Sequence, residues 1–289
     1  MQAVLFYLAY PFLYLLASLP FKVLYLVSDG LFFILKLSGY RKAVVRANLR
    51  NSFPEKSDAE INDLCNSFFR YLCDLILETL KTMKMTESEI KERCLFSPPE
   101  WLMKLYIEKK SIIVVLGHYG NWEWAGPSFS INRLYQLVVI YRPLSNPYFE
   151  RMMVRMRTRF GTQITEAQQT LRRMIADKGK LTATAFIADQ TASPESAYWT
   201  TFLNQDTAVF NGPEKLARKF DYPVVYFHVS RPRRGYYELK PELLFENPGK
   251  TTENEILETF TRKLETDILN NPTIWLWSHR RWKHHRNKK

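Results

Sequence analysis

The run Ile112-Ile113-Val114-Val115-Leu116, entered from Ser111 and followed at once by Gly117-His118-Tyr119-Gly120-Asn121-Trp122-Glu123, constrains the fold more than any other stretch. A short unbroken apolar run rich in β-branched residues is the pattern of a strand covered on both faces. The polar groups follow just past its carboxyl end, where open α/β sheets place their ligands. On one regular helix, residues five apart lie roughly 140° around the axis, so His118 and Glu123 would diverge. A strand-end loop removes that obstacle. Gly117 and Gly120 permit a sharp backbone, and Glu123 is expected to fold back onto the imidazole from the first turn of a following helix. A neutral imidazole held by a carboxylate is a general base for a hydroxyl proton. A buried His–Glu pair that merely ties loop to strand fits the same spacing, and spacing alone leaves both readings open.

The length, 289 residues with 46% hydrophobic content, suffices to fill the core of one large α/β domain. Lys and Arg number 41 against 29 Asp and Glu, a formal charge of +12. Such a balance implies acidic partners: anionic lipid headgroups, phosphorylated substrates, an acidic carrier protein or nucleic acid. Cys65, Cys73 and Cys94 form an odd set without metal-ligand spacing, and read as buried thiols in a reducing compartment.

Residues 1–40 read as a hydrophobic membrane-anchor segment, set apart from a domain over 41–289. Met1 to Phe21 carries no charged side chain, and Lys22, Asp29 and Lys36 are the only charges before Arg41. The stretch is long enough for a span of about 20 residues, and it lacks the basic start and small-residue site of a cleaved signal peptide. Pro11 and Pro20 would kink a span, so one tilted anchor, a re-entrant or interfacial pair, and an apolar helix packed into the core are the competing forms. Arg41, Lys42, Arg46 and Arg50 follow, which places the body on the cytoplasmic side by the positive-inside tendency.

Downstream, Ser57 with Glu60 and Thr86 with Glu89 are capping boxes that open two helices. The first carries Ile61, Leu64, Cys65, Phe68, Leu72 and Leu75 at helical spacing, and Pro98-Pro99 is expected to close the second. Leu137–Tyr141, Thr182–Ile187, Pro223–Val229 and Ile274–Trp277 read as further strands, and residues 148–160 as a basic amphipathic helix. Strands alternating with helices predict a single α/β domain with a mixed or largely parallel sheet flanked by helices. Polar groups then stand at four strand ends: His118 to Glu123, Arg142, Asp189-Gln190, and Ser278-His279-Arg280-Arg281.

With those residues in view, the chain resembles the lauroyl/myristoyl lipid A acyltransferases, the late acyltransferases of lipid A biosynthesis. The resemblance rests on the apolar N-terminus, Arg46-Ala47-Asn48-Leu49 with Phe53-Pro54-Glu55, and Gly117 to Glu123. It continues through Tyr141-Arg142-Pro143-Leu144-Ser145-Asn146-Pro147, Ala188-Asp189-Gln190, and Trp275 to Lys283. It implies a glycerolipid-acyltransferase-like domain with an N-terminal membrane-anchor helix. It also implies a bacterial inner-membrane enzyme, facing the cytoplasm, that moves an acyl group from acyl carrier protein to a lipid hydroxyl. On the matching positions it makes His118 and Glu123 the catalytic pair and Arg142 a phosphate or charge-stabilising group, with Asp189 lining the site. Asn121, Arg280 and Arg281 join these as candidate substrate contacts. The acid here is Glu rather than Asp. Asn211-Gly212-Pro213-Glu214-Lys215-Leu216-Ala217 departs from the family pattern, which bears on the acceptor more than on the chemistry.

The chemistry this implies is direct transfer. His118 is expected to deprotonate a hydroxyl, that of a lipid-borne 3-hydroxyacyl chain, and the alkoxide to attack a thioester; loop N–H groups around Gly117 to Asn121, or Arg142, are the candidates for the oxyanion. No covalent acyl-enzyme, metal or cofactor is expected, and His284-His285 lacks partners at ligand spacing. The Arg151–Arg159 helix fits a phosphorylated lipid, an acidic carrier protein or an anionic membrane surface, and equally a solvated basic face. The basic tail over 280–289 is expected to fray over its last five residues. Two other functions compete with transfer to a lipid A precursor. One is acyl transfer to a lysophospholipid, aminolipid or other glycolipid, and the other a non-enzymatic basic module bound to membrane. Nucleic acid is the weakest partner for such a module, because a zinc-ligand set, an RNA-binding aromatic signature and a basic zipper are all lacking. The same pair activating water would make a hydrolase, and the missing Gly-x-Ser-x-Gly elbow counts against an α/β-hydrolase.

Overall fold

Pro20 divides the apolar N-terminus into two helices, α1 (Gln2–Ser18) and α2 (Phe21–Ser38), in a computed structural model that describes residues 2–195 and 197–286. Residues 287–289 of the basic tail lie outside the described residues. Among the described residues no helix is long and apolar enough to cross a membrane. Of the forms left open by the sequence, the single spanning anchor, and with it the N-terminal anchor helix that the resemblance implies, finds no support here. The proline ends the first helix, and Lys22, Asp29 and Lys36 punctuate the second. Both helices pack on the body: Phe6, Leu16 and Ala17 of α1 and Leu24, Ser28 and Phe32 of α2 are buried, while Leu5, Leu8, Phe12, Leu15, Phe33 and Leu37 are exposed.

After α3 (Lys42–Ser52), the helix α4 (Asp58–Lys81) starts at the expected capping box, where the Ser57 hydroxyl accepts from Glu60 N–H and the Glu60 carboxylate accepts from Ser57 N–H. α5 (Glu87–Arg93) begins in the same way at Thr86 and Glu89. It runs into a short strand β1 (Cys94–Phe96), so Pro98-Pro99 do not end it; they lead into α6 (Glu100–Ile107). The chain continues through β2 (Ile112–Leu116), α7 (Trp122–Ser130), β3 (Gln136–Tyr141), α8 (Pro147–Thr158), β4 (Gln163–Glu166), α9 (Thr170–Ala176) and β5 (Thr182–Ile187). A hairpin β6 (Tyr198–Phe202) with β7 (Gln205–Val209) precedes α10 (Gly212–Phe220), β8 (Val224–Arg233), β9 (Tyr236–Phe245) and α11 (Glu255–Asn270).

Seven strands form one sheet in the order β1-β9-β8-β2-β5-β3-β4, parallel throughout except for the β8–β9 pair. This is the mixed, largely parallel α/β sheet read from the sequence, with β2 at its centre. All five β2 side chains are buried. Ile113 and Val115 join the core shared with α4 and α11, and Ile112, Val114 and Leu116 the core on the other face. Full burial of such a side chain stabilises the fold by roughly 1.5–3 kcal/mol. The expected strand at Ile274–Trp277 is absent. A 3-10 turn over Pro272–Ile274 leads into a single antiparallel bridge between Trp275 and Tyr119. Trp277 N–H bonds back to the Trp275 carbonyl, a local closure that removes groups a strand ladder needs.

Candidate active site

The loop after β2 is shaped by two glycines for different reasons. Gly120 has φ +61°, and a Cβ there would stand 2.2 Å from the Val229 carbonyl oxygen. Gly117 is a matter of space: its Cβ would meet Leu264 at 2.6 Å and the Asp189 carboxylate at 3.3 Å. Tyr71 fixes the loop from α4 by donating its hydroxyl to the Gly120 carbonyl at 2.5 Å. From the other side, Gly120 N–H donates to the Ile274 carbonyl and Leu276 N–H to that of His118.

The carboxylate that holds His118 is Asp189, not Glu123. The imidazole Nδ1–H donates to Asp189 Oδ1 at 2.6 Å, and the His118 backbone N–H to Oδ2 at 2.8 Å. Trp275 Nε1–H donates to the same Oδ2 at 2.8 Å. Burial works against charge on Asp189, but the His118 imidazole and these donors prevail and hold its carboxyl below the ordinary range. With Nδ1 committed, Nε2 is left as the acceptor face. It points to the exposed Gln190 amide at 3.3 Å, and the imidazole side chain is 16% exposed. The Trp122 ring packs edge-on against it at 4.9 Å.

Glu123 starts α7 as expected, yet its carboxylate turns to Arg157 of α8, accepting from Nε at 3.0 Å and Nη2 at 2.6 Å. No hydrogen bond or ion pair joins it to His118. A guanidinium presents a planar fork that fits a carboxylate twice, whereas the Asp189 pairing already occupies Nδ1. Burial alone would depress Arg157, but Glu123 raises its pKa above the ordinary value, so the cation is secure.

The other expected contacts divide. Asn121 is fully buried and caps α7, accepting from Trp124 N–H while donating to Glu78 Oε2 at 2.9 Å, so both ends of its amide are engaged in the core. Arg142 is exposed just past the carboxyl end of β3, the neighbour of β5, which leads into Asp189 two residues after its last position. Arg280 is exposed, and Arg281 is buried at 4% exposure, with one bond from Nη2 to the Ala208 carbonyl. Burial lowers the Arg281 pKa to about 10, with Asp189 opposing the shift. His279 Nε2 accepts from Thr191 N–H at 3.3 Å, and burial pushes its pKa down to about 4. Asn48 ties this segment to α3 by donating to the carbonyls of Trp277 and His279 at 2.8 and 3.0 Å.

Glu78 escaped the sequence reading. Its carboxylate receives Asn121, the Tyr237 hydroxyl at 2.7 Å and the Tyr25 hydroxyl at 2.9 Å, so it links α2, β9 and the cap of α7. Burial raises its pKa, with Arg231 opposing. A signal existed: position 78 continues the apolar stripe through Tyr71 and Leu75 by helical spacing, and a carboxylate on such a stripe must be held by donors.

The cluster therefore offers a proton-accepting nitrogen, oriented from behind by a buried carboxylate, at the rim of a parallel sheet. The sequence of residues 1–284 matches the model of the family described as bacterial lipid A biosynthesis acyltransferase. The lipid A biosynthesis palmitoleoyltransferase of Escherichia coli (strain K12) is 23% identical over 257 residues, covering 84% of this chain and 79% of the relative. The lipid A biosynthesis acyltransferase of Haemophilus influenzae is 25% identical over 272 residues, 92% of this chain and 86% of the relative. With a family match over nearly its whole length, the chain belongs to the bacterial lipid A biosynthesis acyltransferases.

Proposed function

We propose that this acyltransferase moves a fatty acyl group from acyl carrier protein to a hydroxyl of a lipid A precursor at the cytoplasmic face of the bacterial inner membrane. The observation that carries the chemistry is the His118 imidazole, backed by buried Asp189 at 2.6 Å with Nε2 left facing outward. His118 Nε2 accepts the hydroxyl proton, and the oxygen attacks the thioester carbonyl carbon. The tetrahedral oxyanion collapses as the C–S bond breaks, and the leaving thiolate takes the proton back from Nε2. A positioned base of this kind contributes about 10²–10⁴-fold.

Two loop N–H groups are unavailable to the oxyanion, because His118 N–H is held by Asp189 and Gly120 N–H by Ile274. The donors we assign are the Gln190 side-chain amide and Arg142, each of the kind worth roughly 3 kcal/mol of barrier. Glu123 and Arg157 act as a brace that fixes α8 against α7 beside the imidazole. Membrane contact is assigned to the exposed apolar side chains of α1 and α2, lying in the interface with Lys22, Lys36, Arg41 and Lys42 toward anionic headgroups.

The test supplies purified full-length protein with acyl-loaded carrier protein and an underacylated lipid A precursor, and reads the product by mass spectrometry. The wild type should add one acyl group and His118→Ala none. Transfer by His118→Ala at the wild-type rate would remove the base assignment. Acylation of a lysophospholipid or aminolipid in place of the precursor would remove the acceptor.

A further inference from the structure

A cavity of about 390 Å³ lies between α1 and α8, away from the base and its partners: His118, Asp189, Gln190 and Glu123 do not line it. One wall is aromatic, formed by Phe6, Tyr10 and Tyr14 of α1. The other carries Arg151, Arg155 and Arg159, which follow one another at intervals of four along α8 and its end and so share a face. None of the three forms a salt bridge. Arg151 reaches only its own helix and the Tyr148 ring, and Arg159 donates to the Thr82 carbonyl. Arg155 makes no hydrogen bond or ion pair. Three like charges converge on an apolar cavity with no carboxylate to balance them. Arg157, on the same helix, is by contrast neutralised by Glu123.

We propose that this cavity binds a bilayer phospholipid, with the guanidiniums on its phosphate and an acyl chain along the aromatic wall of α1. Charge complementarity requires an anion, and guanidinium forks suit phosphate oxygens. The aromatic and aliphatic lining requires that the anion carry an apolar tail, which an acidic protein surface does not offer. With the exposed apolar face of the same helix α1, Leu5, Leu8, Phe12 and Leu15, lying in the interface as proposed above, the cavity sits at the level of the headgroups. A lipid seated there would clamp α1 to α8 and hold the enzyme on the surface where its substrates travel.

The test is native mass spectrometry of the full-length protein released from micelles that contain equal amounts of phosphatidylglycerol, uncharged diacylglycerol and a phosphorylated glycolipid. Wild-type protein should retain phosphatidylglycerol above diacylglycerol, and the retention that depends on Arg155 should be that of phosphatidylglycerol rather than that of the phosphorylated glycolipid. Arg155→Gln should lower retention by about tenfold, the worth of one charge-assisted contact, and Arg151→Gln/Arg155→Gln further still. Arg155 has no partner in the fold, so its variant should melt with the wild type. Equal retention by the variants, equal retention of diacylglycerol, or an Arg155-dependent retention of the phosphorylated glycolipid that exceeds that of phosphatidylglycerol would each overturn the assignment. Binding is read without turnover, so its failure is separate from any failure of acyl transfer.

Discussion

Asp189→Asn changes one buried atom and should disable the base. Asp189 Oδ2 accepts two donors that cannot change character, His118 backbone N–H and Trp275 Nε1–H, both at 2.8 Å. Asparagine has one oxygen, and those two donors claim it. Its NH2 then faces His118 Nδ1 across the former 2.6 Å contact, donor against donor. The imidazole escapes by moving its proton to Nε2, which leaves no lone pair for the substrate hydroxyl. The same carboxylate-to-amide change in a serine protease triad costs about 10⁴ in turnover by this route. A loss of about 10²–10⁴ in kcat is expected here, with KM little altered because Asp189 is buried. Weakened charge-assisted bonds should cost roughly 1.5–3 kcal/mol of stability, a fall of several degrees in Tm. The assay is steady-state acyl transfer with acyl carrier protein thioester, beside a thermal melt. A folded Asp189→Asn variant within about threefold of wild-type kcat, far inside the range a base contributes, would refute the reasoning.

Other outcomes follow from the same geometry. Glu123→Gln should break the Arg157 fork and leave a part-buried guanidinium short of its counter-ion. The melt should drop by roughly 2 kcal/mol while the His118 ring stays as in the wild type, which NMR of labelled histidine would check. Gly120→Ala combines φ +61° with a Cβ 2.2 Å from a backbone oxygen, so the protein should fail to accumulate in soluble or detergent-extracted form. His279 falls from its ordinary 6.5 to about 4 in the fold, so it is neutral when folded and takes up a proton when unfolded. Its stabilisation is present above about pH 6.5 and lost as pH falls toward about 4, and Tm should decline over that window with a shallower slope in His279→Gln. Asp189 has the opposite chemistry and a more acidic window. Its carboxyl is held below 3.8, so its contribution persists to that pH and disappears only as pH falls through the lowered value.

The central strand, its polar loop and both capping boxes were legible because each is local: a run of β-branched residues, two glycines, a hydroxyl three positions before a glutamate. His118 and Asp189 were both singled out, but not as partners. Their meeting is a consequence of parallel register. Leu116 lies opposite Ile187, so the two residues that follow each strand run side by side and bring His118 to Asp189. Nothing within a five-residue window encodes that, and the nearer acid, Glu123, drew the assignment. Its actual partner Arg157 lay hidden in a helix whose basic residues read alike; only the fold separates it from Arg151 and Arg155. The long strand β9 went unread because its alternation is interrupted by Lys240-Pro241 and by a bulge against β8 at Val224–Val225. At Ile274–Trp277 the apolar run misled, since buried indoles packed against Asp189 and Phe202 can satisfy it without a ladder.

The most direct test of the account is the protonation of the His118 ring. Protein with 15N-labelled histidine, compared with His118→Gln to assign the signal among five histidines, reports each ring nitrogen at neutral pH. The account predicts a proton on Nδ1 and a bare Nε2. A proton on Nε2 with Nδ1 unprotonated would contradict it.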